Sequence, residues 1–140
     1  MNVVNFGSLN LDHVYAVDHF CRAGETIHTA GYTQNAGGKG LNVSRVLCQL
    51  GDDVVATGLL GGHMGAYMGS LMDADGINHD FTPIAGETRI CLNILHEGNQ
   101  TELLESGPEI SAEELAAFSA KFAELVAKAD CVTISGSLPK

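Results

Sequence analysis

The apolar positions of this chain fall into short runs punctuated by glycine, and their period changes near residue 39. Val3–Phe6 is an apolar run closed by Gly7, which predicts a buried strand. Leu11–Phe20 and Thr26–Gln34 mix apolar and polar residues in partial alternation, which predicts two paired strands of a sheet with one wet face. From Lys39 onward, Val43, Val46, Leu47 and Leu50 recur at helical spacing, and Gly51 supplies a C-terminal stop. Val54–Leu60 is almost continuously apolar, as in a strand covered on both faces. Met68, Leu71 and Met72 predict a short helix that ends at Gly76. Thr88–Leu95 and Thr101–Ser106 flank a polar turn containing Gly98 and read as a hairpin. Ser111 and Glu114 have the spacing of a capping box, and Leu115, Phe118, Phe122, Leu125 and Val126 trace one helical face after it. Cys131–Ser135 is a further apolar strand. This order predicts an α/β fold with a parallel sheet that carries a small β excursion.

Composition narrows the function. The 140 residues suffice for one domain with its own core. No apolar run approaches the roughly 20 residues of a membrane helix, and no basic segment precedes an apolar one at the start. No membrane partner and no signal peptide are expected, and the expected compartment is the cytoplasm. The formal charge of −10, from 17 acidic and 7 basic residues, leaves too little positive charge for a nucleic-acid surface. Against that background Lys39 and Arg89 stand out, because each lies near glycines. Cys21, Cys48, Cys91 and Cys131 have no metal-ligand spacing and read as free thiols, and the histidines are scattered, so no metal site is expected.

The segment with the most chemical content is Asn35-Ala36-Gly37-Gly38-Lys39-Gly40-Leu41-Asn42, at the start of the first predicted helix. Glycines there let a ligand approach the backbone, and unpaired helix N–H groups attract oxygen-rich or anionic groups. Lys39 adds a positive charge, and Asn42, one turn in, offers a donor and an acceptor. Together they suit a polyhydroxylated or phosphorylated small molecule, although a glycine-rich helix entry also serves purely as structure. The segment is not a Walker loop, since Thr33 stands where the first glycine belongs and Gly40 follows Lys39. It also lacks the dinucleotide fingerprint.

The run Ala36–Ser44 followed at fixed spacing by Gly51 and Gly61 resembles the N-terminal signature of the pfkB-type, ribokinase-like carbohydrate kinases. Gly7-Ser8-Leu9-Asn10-Leu11-Asp12, Gly86-Glu87-Thr88-Arg89, Gly107-Pro108 and Ser135-Gly136-Ser137-Leu138-Pro139 occur in the order of that family, so the resemblance spans the whole chain. It implies a Rossmann-type parallel sheet with helices on both faces and a small β-sheet lid, whose segments here are residues 11–35 and 87–106. It also implies an ATP- and Mg²⁺-dependent transfer of phosphate to a sugar. Asp12, Gly37, Gly38, Lys39, Asn42, Arg89, Ser135 and Ser137 would then hold the acceptor. In isolation Asp12 also reads as a turn residue, Asn42 as a solvated first-turn residue and Arg89 as a solvated strand residue.

The family's catalytic aspartate belongs to a Gly-Ala-Gly-Asp motif that is absent from this sequence. The base is therefore expected beyond Lys140, along with the ATP-binding half. The expectation is that these 140 residues are the sugar-binding N-terminal part of one kinase domain, inactive alone and with no tightly bound cofactor. The opening, including Arg22–Thr26, is similar to ribokinases. The segments from Gly86 onward are similar to tagatose-6-phosphate kinase and 1-phosphofructokinase. A ketohexose phosphate is the favoured acceptor, because the planar donors of Arg89 suit a phosphate monoester. Free ribose, and a non-catalytic sugar-phosphate-binding or interaction module, are the alternatives. A homodimer through the lid sheet is expected if the protein is not monomeric.

Overall fold

The computed structural model describes residues 1–137, so Leu138 and Pro139 of the last motif lie outside the described residues. Strand β1 (Asn2–Gly7) runs between two parallel neighbours, β4 (Asp53–Thr57) and β9 (Cys131–Ser135). Successive side chains of a strand point to opposite faces. Asn5 faces helix α1 (Lys39–Gln49), where its amide donates to the Gly40 carbonyl and to Ser44 Oγ at 2.8 Å. Phe6 faces helix α3 (Ala112–Val126), with its ring centroid 4.8 Å from Phe118 and 5.8 Å from Phe122. A parallel sheet with helices on both faces is the predicted architecture.

Two elements differ from the pattern. The stripe Val43, Val46, Leu47 and Leu50 is not the buried face of α1, since Val46 and Leu50 are 53% and 74% exposed. The helix lies so close to the sheet that a Cβ on Gly40 would fall 2.8 Å from Gly7 Cα. Only small residues fit that contact, and the buried positions are Gly40, Leu41 and Ser44. The run Val54–Leu60 is also not one strand. Gly58, with φ 153°, ends β4, and β5 (Leu59–Gly61) pairs instead with β6 (Thr82–Ile84).

Helix α2 (Gly62–Ala74) inserts Met68 and Met72 into a core with Leu11, Ala36, Leu41, Ala56 and Ile77. Leu11 and Ala36, with Ile90 packed against them, also anchor a second sheet, ordered β3 (Gly31–Gly37), β2 (Asn10–Ala16), β7 (Ile90–His96), β8 (Asn99–Leu104). Strands β2, β3 and β7 are shorter than the pattern predicts, β8 keeps its predicted length two residues earlier, and residues 17–30 are an irregular connection. No helix among the described residues is long and apolar enough to cross a membrane.

The predicted capping box is present. Glu114 N–H donates to Ser111 Oγ (3.1 Å) and Ser111 N–H donates to Glu114 Oε2 (2.8 Å). Phe118 is buried behind it, whereas Leu115 is exposed and lies off the packed face. Ser111→Ala is expected to cost about 1 kcal/mol in urea unfolding, the usual cost of a lost N-cap. An unchanged midpoint would show that the cap does not stabilise α3. The amides of Ala85 and Ser111 hold the Glu114 carboxyl below its ordinary value of 4.5. Its stabilising effect is therefore complete above 4.5 and is lost as pH falls through the lower folded value.

Candidate functional site

In open α/β sheets, ligands bind beyond the carboxyl ends of the strands. A cleft of about 380 Å³ opens there, lined by Ser8 and Leu9 after β1, Thr88 and Arg89 before β7, Glu105 after β8, and Ser137 after β9. Of the residues singled out in the sequence, Arg89 and Ser137 line this cleft. Ser135 acts through its backbone, where its carbonyl accepts from Ser8 N–H at 2.9 Å.

A second group adjoins the cleft across the Ser8–Leu9 turn. The Asp12 carboxylate lies directly over Gly37, where a Cβ would fall 1.9 Å from Oδ2. Asn10 Nδ2 donates to Asp12 Oδ1 at 2.5 Å. Gly38 starts α1 at φ 100° and ψ 152°, and Gly40 N–H donates to the Ser8 carbonyl at 3.3 Å. Lys39 and Asn42 stand at the surface of the first turn of α1 and do not line the cleft.

Asp12 and Arg89 face the same way. Asp12 pairs in register with Cys91, and alternation puts Arg89 on the Cys91 side of β7. Burial pushes the Asp12 carboxyl above its ordinary value of 3.8. The Asn10 amide and the Arg45 and Arg89 guanidinium groups pull against that rise, while Glu102 adds to it. Burial likewise raises the Cys91 thiol above 9.0, so it is uncharged at neutral pH.

Two polar residues at the site, Arg45 and Glu105, were not among the acceptor-holding residues expected from the sequence. Arg45 donates to Asn42 Oδ1 (3.2 Å), the Ala36 carbonyl (3.0 Å) and Asp75 Oδ2 (3.0 Å), tying β3, α1 and the end of α2 together. The sequence signal was its place three residues after Asn42, on the same helical face. Glu105 Oε2 accepts from Ile90 N–H at 2.9 Å and so lies beside Arg89 in the cleft.

A parallel α/β sheet with an attached four-stranded sheet, and a cleft at its carboxyl edge, define an α/β protein with a cleft where ligands bind in open α/β sheets. The chain belongs to the pfkB family of carbohydrate kinases, which it matches over residues 1–140. It is similar to a Thermotoga maritima protein described as a possible 1-phosphofructokinase, at 31% identity and TM-score 0.86, over 99% of this chain and 46% of that one. Its fold is also similar to Escherichia coli phosphofructokinase-2 in complex with fructose-6-phosphate, at 22% identity and TM-score 0.86, over 99% and 46% of the two chains. The tetrameric inhibited form of that enzyme gives 21% identity and TM-score 0.84, over 99% and 45%. The chain therefore spans less than half the length of each of these proteins.

Proposed function

We propose that this chain forms the acceptor side of an ATP-dependent sugar kinase and holds a ketohexose phosphate. The observation that carries the reading is that Arg89, in the cleft, and Asp12 lie on the same face of the four-stranded sheet. Asp12 would accept hydrogen bonds from sugar hydroxyls, and Arg89 would meet the phosphate with charge-assisted bonds worth roughly 1.5–3 kcal/mol each. Gly37 and Gly38, having no Cβ, would let the Asp12 carboxylate and the Ser8 turn sit against the start of α1, with Lys39, Asn42, Ser135 and Ser137 around the sugar. ATP, with Mg²⁺, would supply the phosphate as donor. These 140 residues lack the Gly-Ala-Gly-Asp segment and are expected to transfer no phosphate alone. ADP release from the 140-residue protein that depends on both ATP and a sugar would overturn that expectation.

Calorimetric titration of the wild type and Arg89→Ala with fructose 6-phosphate and with ribose tests the acceptor. Arg89→Ala should weaken the phosphate ligand at least tenfold, about 1.4 kcal/mol, and leave ribose nearly unchanged. Equal losses would favour the second reading, a neutral sugar such as ribose, which is supported by the Glu105 carboxylate beside Arg89 in the cleft. Under either reading the ionised Asp12 carboxylate accepts more and stronger hydrogen bonds from sugar hydroxyls than its protonated form. Because its folded value is raised, affinity should begin to fall with decreasing pH above 3.8. In the ligand-free chain the sign reverses, since ionising a carboxyl of raised pKa costs stability as pH rises through that window.

The four-stranded sheet would serve as the lid over this acceptor and as a self-association surface. Its central strands are β2 and β7, and its open edges are β3 and β8. Register puts Tyr15, Tyr32, Leu92 and Leu103 on one face, and Tyr32 and Leu103 are 45% and 58% exposed. Leu103→Asp should shift any dimer to monomer in sedimentation. Equal amide exchange of β3 and β8 in monomer and dimer would place the interface elsewhere.

A further inference from the structure

Five of the six residues from Ala85 to Ile90 are hydrogen-bonded to a distant segment, and the sixth, Gly86, lies close against Pro108. Ala85 N–H donates to Glu114 Oε1 at 2.6 Å, and a Cβ on Gly86 would lie 2.5 Å from Pro108 Cβ. Glu87 Oε1 accepts from Met64 N–H at 2.6 Å, in the first turn of α2. Thr88 bonds Gly61 twice: its N–H donates to the Gly61 carbonyl and its Oγ1 accepts from Gly61 N–H, both at 3.0 Å. The Arg89 carbonyl accepts from Leu11 N–H at 3.0 Å, and Ile90 N–H donates to Glu105 at 2.9 Å. Gly62 leaves the space for the Glu87 contact, because a Cβ there would fall 2.2 Å from Glu87 Oε2.

We propose that Glu87 and Thr88 are positioning residues, which clamp the strap Ala85–Ile90 onto the N-terminus of α2 so that Arg89 is held in the cleft before any ligand arrives. The inference rests on the proposed role of Arg89 and adds what sets its affinity. An anchored segment leaves only the Arg89 side chain to be ordered on binding, whereas a loosened one must also order its backbone, and that lowers affinity for the ligand Arg89 recognises. Glu87 itself is exposed and carries a negative charge next to a phosphate-binding arginine. Its carboxylate is therefore placed for the α2 amide and not for the ligand.

The experiment measures fructose 6-phosphate and ribose affinities for Glu87→Ala, Glu87→Gln, Thr88→Val, Arg89→Ala and the Glu87→Ala/Arg89→Ala double variant of the full chain. Glu87→Ala and Thr88→Val should each weaken fructose 6-phosphate at least fivefold and change ribose less than twofold. Glu87→Gln keeps an acceptor oxygen for Met64 N–H and should restore wild-type binding. In the Arg89→Ala background, Glu87→Ala should have no further effect on the phosphate ligand, because the group it positions is gone. A phosphate-selective loss in Arg89→Ala with none in Glu87→Ala and Thr88→Val overturns the clamp and leaves the Arg89 reading intact. Equal losses of both ligands in the clamp variants also overturn it, as a merely structural contact. The absence of a selective loss in Arg89→Ala, or of any binding by the wild type, overturns the Arg89 reading and the clamp with it.

Discussion

Gly38→Ala will destabilise the chain by about 2–6 kcal/mol and weaken fructose 6-phosphate and ribose alike. Gly38 has φ 100° and ψ 152°, a region essentially restricted to glycine, where another residue costs about 1–3 kcal/mol. A Cβ there would also fall 2.1 Å from the Ser8 carbonyl oxygen. Ser8 cannot move aside freely, because its N–H is bonded to Ser135 and its carbonyl to Gly40 N–H. Relieving the overlap means shifting either the turn after β1 or the first turn of α1, at about 1–3 kcal/mol for a packed contact. For a domain of typical stability, about 5–15 kcal/mol, that is a large fraction. Both groups of proposed ligand contacts hang from this junction, so the loss should not discriminate between phosphate and neutral sugar, in contrast to Arg89→Ala. A urea-unfolding free energy within about 1 kcal/mol of wild type would show that the junction gives way more easily than its bonds indicate.

Local signals in the sequence were readable wherever a local rule decided the outcome. Ser111 and Glu114 form their capping box because both partners sit within one helical turn. Met68 and Met72 lie one turn apart and both face the core. The errors arose where a distant segment chose the face. In α1, the close approach of Gly40 to Gly7 selected Leu41 and Ser44 for burial over the more apolar stripe of Val46 and Leu50. At the site, family-like motifs pointed to Asp12, Gly37, Gly38 and Arg89, but the long-range contacts around them were not readable. Arg45 finds Asp75 thirty residues on, and Glu87 finds Met64 twenty-three residues back. Such pairs carry no local period, and one sequence gives no sign of them. Lys39 was legible as an unusual cation in a glycine-rich setting, and it stands exposed on the first turn of α1.

Asn5→Leu will cost about 2–4 kcal/mol although it exchanges a polar core side chain for an apolar one of similar size. Asn5 is 1% exposed and joins three elements. Its amide nitrogen donates to the Gly40 carbonyl and to Ser44 Oγ, and its oxygen accepts from Thr133 Oγ1 at 2.8 Å. Leucine satisfies none of them, and each buried group left without a partner costs about 1–3 kcal/mol. The total stays below three full penalties, because the Ser44 hydroxyl can turn back onto the Gly40 carbonyl within its own helix. The test is a double-mutant cycle with Ser44→Ala, itself at a fully buried position. Removing both partners should cost clearly less than the sum of the single changes, since an apolar pair leaves no orphaned hydroxyl between β1 and α1. Strict additivity would mean that the two side chains are not coupled. The register of α1 on the sheet, and with it the position of Gly37–Asn42 relative to Ser8, would then rest on the glycine contact and on the Gly40 bonds to Ser8 and Asn5.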